Sequence, residues 1–168
     1  DFNIVKTYYG IDIQLMVYME AAMKLVAKMR PGKNVIPAGV FYYNISDPIV
    51  SATTESAEEI EDKIKGELRL KGMVNSDKDI AEKMDNTEGT SLNIPVSRKA
   101  DGGFDSRRSK VMNTEQFNML GRFVDVRAVD TADRIAGGDI RRSPYKDGQF
   151  SSCDRCPYGA VCGFSVDL

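Results

Sequence analysis

Between residues 11 and 29 apolar side chains recur at steps of three and four (Ile11, Leu15, Tyr18, Ala22, Val26, Met29), which predicts a helix with one broad buried face. Arg30-Pro31-Gly32 ends it, because proline cannot continue the ladder and glycine accepts a left-handed cap. Residues 37–45 (PAGVFYYNI) are mostly β-branched or aromatic and predict a buried strand, closed by Ser46-Asp47-Pro48. Ser56-Ala57-Glu58-Glu59 reads as a capping box that opens a helix through Ile60, Ile64 and Leu68 to Gly72. Its outer face pairs Glu59/Lys63, Glu61/Lys65 and Glu67/Lys71 at i, i+4, as a solvated surface does. A shorter helix is expected over residues 77–84. Residues 91–97 alternate Leu92, Ile94 and Val96 with polar positions, the pattern of a half-buried strand. The Asp101-Gly102-Gly103 turn then returns the chain to a partner strand over 106–112. Asn113 and Gln116 form a second capping pair, and Phe117, Leu120, Val124, Ala128 and Ile135 carry a long helix to Gly137-Gly138. The order is helix, strand, helix, hairpin, helix, cysteine loop. That is an α/β arrangement with too few strands to complete a sheet alone. We read residues 1–168 as one domain: a core helix and strand over 1–50, helices and hairpin over 51–137, and a cysteine-containing tail over 138–168.

Composition narrows the class. Of 168 residues, 42 % are hydrophobic and 29 % charged, so the chain folds and is neither disordered, collagen-like nor a disulfide-dense mini-protein. Lys and Arg number 23 against 25 Asp and Glu, a net charge of −2. There is thus no global basic field, and any nucleic-acid contact must be local. The absence of His excludes histidine bases and ligands. Four of the eight Met residues, at 16, 19, 23 and 29, lie on the first helix, where adaptable core packing explains them. With no bilayer-length apolar run and no leader pattern, a cytoplasmic protein with no membrane contact is expected. The start at Asp1 without Met suggests a processed or excised segment.

Three local features carry chemistry. Cys153, Cys156 and Cys162 are all the cysteines of the chain, in a C-x2-C-x5-C run. Such soft thiolates suit zinc or an iron–sulfur centre, both of which usually want four ligands; a group of unligated thiols is the bland alternative. Arg141, Arg142, Lys146 and Arg155 nearby would offset thiolate charge. Arg98, Lys99, Arg107, Arg108 and Lys110 against Asp101 and Asp105 make a basic hairpin, able to grip DNA phosphates or simply to be solvated. Gln14 and Tyr18 lie one helical turn apart, so amide and phenol sit side by side.

Four stretches together resemble a known family: Tyr8-Tyr9-Gly10 before Gln14-x3-Tyr18; Pro37-Ala38-Gly39-Val40-Phe41-Tyr42-Tyr43 with Asp47-Pro48; Asp101-Gly102-Gly103 before Phe117-x2-Leu120; and Ser143-Pro144-Tyr145 before Cys153-x2-Cys156-x5-Cys162-Gly163-Phe164. Over its whole length the chain resembles the C-terminal part of RecB-like nuclease domains of the PD-(D/E)XK class, as found in the B subunits of AddAB-type ATP-dependent helicase/deoxyribonucleases. The resemblance implies a partial restriction-endonuclease-like α/β core with helical and β-hairpin additions. It implies that Gln14 and Tyr18 orient the site and DNA backbone, and that Cys153, Cys156 and Cys162 are three of the four ligands of a [4Fe–4S] cluster. It also implies Mg2+, a DNA substrate, a role in double-strand-break repair and recombination, and a helicase–nuclease A subunit as partner. The family's metal-binding Asp and its Asp-x-Lys pair have no counterpart in residues 1–168, and Asp12 lies on the wrong side of the helix start to replace them. The isolated chain is therefore expected to be catalytically silent, to hold no intact cluster (zinc being the substitute) and to self-associate through an unpaired strand edge. The competing reading is a zinc- or cluster-stabilised DNA- or protein-interaction module without nuclease activity.

Overall fold

A computed structural model describes residues 2–51, 56–148 and 150–164. In chain order the elements are α1 (Ile4–Tyr8), α2 (Gln14–Met29), β1 (Gly39–Tyr42), α3 (Ala57–Leu68), β2 (Lys71–Asn75), α4 (Lys78–Met84), β3 (Val111–Met112) and α5 (Thr114–Ala136). There follow β4 (Lys146–Asp147), β5 (Phe150–Ser151), a 3-10 turn (Ser152–Arg155) and α6 (Gly159–Cys162). The chain divides into two compact units, Asp1–Val126 and Arg127–Leu168.

In the first unit the strands form a mixed sheet in the order β1-β2-β3, with β1 antiparallel and β3 parallel to β2. Successive strand residues point to opposite faces, and the core divides accordingly. Val40, Met73 and Met112 face a cluster with Phe2, Met16, Met19, Phe117 and Val124, so α2 and α5 cover that side. Phe41, Val74 and Val111 face a second cluster with Ala81, Ile94 and Val96, supplied by α4 and the following loop. Glycine is required at Gly72, which pairs with Phe41: a Cβ there would come within 1.9 Å of the Val40 carbonyl oxygen. The α/β class is as expected.

Local signals held where a cap fixed them. Ser56 accepts from the Glu59 amide while Glu59 reaches back to the Ser56 amide, and α3 starts there. Asn113 and Gln116 exchange the same pair of bonds at the head of α5, and Gly138 closes its far end at φ +73°. Asp77 caps α4 through the Asp79 amide.

Four expectations are corrected. α2 starts at Gln14, and the side it buries centres on Met16 and Met19, with Leu15 half-buried beside them, while Ile11, Tyr18, Val26 and Met29 of the expected stripe are exposed. The helix is apolar around most of its circumference, so periodicity alone could not choose the buried side. α3 stops at Leu68, short of Gly72, and Lys71 opens β2, the central strand; the Glu67/Lys71 pair is therefore not a helical pair. Residues 91–97 are not a strand: Ser91 Oγ accepts from the Asn93 and Ile94 amides, and Val96 donates back to the Ile94 carbonyl. Pro95 has no amide to give a ladder. Only single bridges, Thr90 to Ser97 and Arg98 to Phe104, remain of the hairpin, and β3 pairs in parallel with β2 instead of returning on 91–97.

The second unit is held by polar contacts. Asp139 accepts from Arg134 at 2.8 Å and from Arg141 at 2.7 Å, which together hold its carboxyl well below the usual carboxylate range. β4 and β5 form a short hairpin, after which Ser151 and Asp154 cap the 3-10 turn reciprocally. Among the described residues no helix is long and apolar enough to cross a membrane.

Candidate functional site

α2 is the element that presents the amide–phenol pair. Gln14 is its first residue, and one turn later Tyr18 receives a 2.9 Å hydrogen bond from Gln14 Nε2. Both side chains are exposed, Tyr18 at 60 %. That contact leaves the second amide hydrogen and Oε1 of Gln14, and the phenolic hydrogen of Tyr18, directed to solvent partners. Tyr18 also lines an open apolar groove of ≈ 470 Å³ between α2 and residues 35–40.

The lead-in to α2 is fastened on two sides. Thr7, fully buried, brings its Oγ1 to 2.9 Å from the Asp12 carbonyl, and Tyr42 on β1 donates to Asp12 Oδ1 at 2.5 Å. Burial, and then the Asp12 carboxylate, push the Tyr42 phenol up to about 12. Tyr42 lay within one of the stretches that carry the resemblance but was given no role of its own, and Asp12 stood out in the sequence only as a failed substitute for a metal ligand. A contact thirty positions apart in sequence has no local signature.

The five basic hairpin residues do not act as one patch. Arg98 turns its guanidinium onto the backbone carbonyls of Ala81 at 3.1 Å, Thr87 at 2.7 Å and Asp85, where it closes the end of α4. Lys99, Arg107, Arg108 and Lys110 are exposed. Beneath Arg98 lies a polar cluster that sequence reading missed. Asp85, buried, accepts from the Thr87 amide, Ser91 Oγ and Asn93 Nδ2 at 2.7 to 2.8 Å.

In the second unit Cys156 donates its amide to the Cys153 carbonyl across the 3-10 turn, and Cys162 ends α6 with its carbonyl held by Arg142 at 2.8 Å. All three are free thiols, Cys156 the most open. Among the described residues no three or more Cys, Asp or Glu side chains gather where a metal ion would be held. As arranged, three thiols without a common centre do not fit a four-ligand cluster, and the carboxylates do not fit a Mg2+ site.

A family model described as the PD-(D/E)XK nuclease superfamily matches residues 2–163. The chain belongs to that superfamily. The B subunit of an ATP-dependent helicase/deoxyribonuclease of Clostridium botulinum is 36 % identical over 100 % of this chain and 15 % of its own length. The like-named protein of a Thermoanaerobacter species is 34 % identical over 100 % of this chain and 14 % of its own, and that of Caldanaerobacter subterraneus 38 % identical over 95 % and 14 %. The chain thus spans about one-seventh of these curated relatives. The expected resemblance holds, and nuclease ancestry sets aside an unrelated interaction module. Gln14 and Tyr18 stand at the head of α2 as exposed polar side chains, and Lys24 and Lys28 are exposed further along the same helix.

Proposed function

We propose that this chain is the C-terminal part of the nuclease domain in the B subunit of a cytoplasmic helicase–nuclease, which hydrolyses DNA phosphodiester bonds in double-strand-break repair and recombination. The observation that carries this reading is the Gln14–Tyr18 hydrogen bond at the exposed head of α2, in a chain whose family is nucleolytic. Gln14 and Tyr18 keep donors free for phosphate oxygens, and by sharing one bond they fix each other's rotamers. They orient a backbone; they do not activate water. Metal-held carboxylates and a lysine are needed for that step, and residues 1–168 contain no Asp-x-Lys preceding the Gln14–Tyr18 helix. Lys99, Arg107, Arg108 and Lys110 are the basic side chains we assign to non-specific phosphate contacts, with Arg98 excepted as a structural residue. The substrate is DNA, and the native partner is the helicase–nuclease A subunit. Cys153, Cys156 and Cys162 take up a [4Fe–4S] cluster only when a fourth ligand and a rearranged tail complete the set.

The 168-residue chain, incubated with linear single- or double-stranded DNA and Mg2+ or Mn2+, is expected to leave it intact. Metal-dependent degradation that vanishes in Gln14→Ala or Tyr18→Ala would overturn the division of labour proposed, because it would place a complete catalytic site within these residues.

A further inference from the structure

We infer that Asp12 and Tyr42 form a clamp that positions the Gln14–Tyr18 pair, making both of them positioning residues for DNA hydrolysis; the inference rests on the reading of α2 as the site helix. α2 begins without a side-chain cap: Ile13, its N-cap residue, has a helical backbone and no polar side chain to hold the free amides of the first turn. The helix that presents Gln14 would therefore fray at the very residue that must stay fixed. What holds it lies one residue further back. The Asp12 carbonyl lies 2.9 Å from Oγ1 of the fully buried Thr7, whose single hydrogen it shares with the Asn3 carbonyl at 3.0 Å. The Asp12 carboxylate is held by a phenol from the sheet, since Tyr42 sits on β1 and pairs with Lys71 on β2. Gly10, at φ +79°, makes the left-handed turn that brings Asp12 to both. The start of α2 is thereby tied to α1 and to the sheet.

Two features make this more than packing. Asp12 is the residue just before the N-cap, so its charge also lies at the positive end of a 16-residue helix dipole. The Tyr42–Asp12 contact is also the short, charge-assisted kind, which fixes direction as well as distance. A displacement of about 1 Å at a substrate-positioning group costs up to about 10²-fold in rate. A loosened clamp, with the helix still formed, is expected to cost about a tenth of that loss.

The test uses the full-length protein that contains this chain, with its native partner, and measures kcat and KM for linear DNA in Tyr42→Phe, Asp12→Asn, Asp12→Ala and Gln14→Ala. Tyr42→Phe is expected to lower kcat about tenfold with KM within about twofold, at a temperature where the variant is still fully folded. Asp12→Asn, which still accepts through its amide oxygen, is expected to retain more activity than Asp12→Ala. In the isolated chain, ultraviolet titration should show a phenol ionising near 12 that moves down in Asp12→Asn yet stays above the ordinary tyrosine value, because burial, the larger cause, remains. If Gln14→Ala lowers kcat while Tyr42→Phe leaves it unchanged, the clamp is wrong and the α2 reading stands. If Gln14→Ala is itself without effect, the α2 reading fails and takes the clamp with it. Losses that merely track the folded fraction, or a high-titrating phenol unmoved in Asp12→Asn, would also overturn the clamp.

Discussion

Asp85→Ala is expected to lower the stability of the chain by on the order of 3 kcal/mol, read as a shift of the urea midpoint without a change of slope. Asp85 is buried, and each of its oxygens has a partner: Oδ1 takes the Thr87 amide, and Oδ2 takes Ser91 Oγ and Asn93 Nδ2. Ser91 Oγ is in turn the acceptor for the Asn93 and Ile94 amides, so the carboxylate anchors the loop that delivers Ile94 and Val96 to the second core cluster. Alanine leaves the buried Ser91 hydroxyl without its acceptor and also removes those of the exposed Thr87 and Asn93 amides, and the penalty of the orphaned buried donor exceeds the worth of the bond itself.

The pH dependence has a definite sign. Burial alone would raise the Asp85 pKa, but hydrogen bonds from Thr87, Ser91 and Asn93 outweigh it and hold the carboxyl well below its ordinary range. A group depressed in the folded state adds stability above its unfolded value of about 3.9, and that stability is lost as pH falls below it. The wild-type and Asp85→Ala curves should therefore stand apart at neutral pH and converge in acid. A midpoint shift worth less than about 0.5 kcal/mol at pH 7 would mean the cluster is ornamental.

The larger catalytic effect belongs to Gln14. In the full-length protein, Gln14→Ala is expected to reduce DNA hydrolysis by about 10²-fold, mostly in kcat. The side chain donates to Tyr18 at 2.9 Å, and in the proposed role its other polar atoms meet substrate, so its removal frees the phenol as well as deleting a contact. Tyr18→Phe removes only one of the two groups and should cost less. Because both residues are exposed, neither variant should move the thermal midpoint. Unaltered kcat in Gln14→Ala would remove the pair from the site.

What could be read in advance was local. The capped starts of α3 and α5 were legible because a Ser or Asn followed at fixed spacing by its Glu or Gln partner is a physical start signal. The Q-x3-Y pair was legible because one helical turn is a fixed distance. β2 was lost because Lys71-Gly72-Met73-Val74-Asn75 follows a strong helix almost without a break, and only its neighbours on either side make it a strand. The buried side of α2 was lost because Met16 and Met19 compete with an apolar stripe that runs on through Val26 and Met29, both exposed. Arg98 looked like a phosphate ligand and instead closes the end of α4, since charge says nothing of which acceptors fold within reach. Tyr42 and Asp12 were invisible together because their contact spans two elements.

The central claim is that this chain completes a metal-dependent DNA-hydrolysing domain whose metal ligands lie outside residues 1–168. Release of acid-soluble nucleotides from linear DNA by the full-length protein tests it most directly, run beside the 168-residue chain with Mg2+ and again with EDTA. The expected result is release by the full-length protein only, abolished by EDTA. No release from the full-length protein, or equal release from the isolated chain, would contradict it.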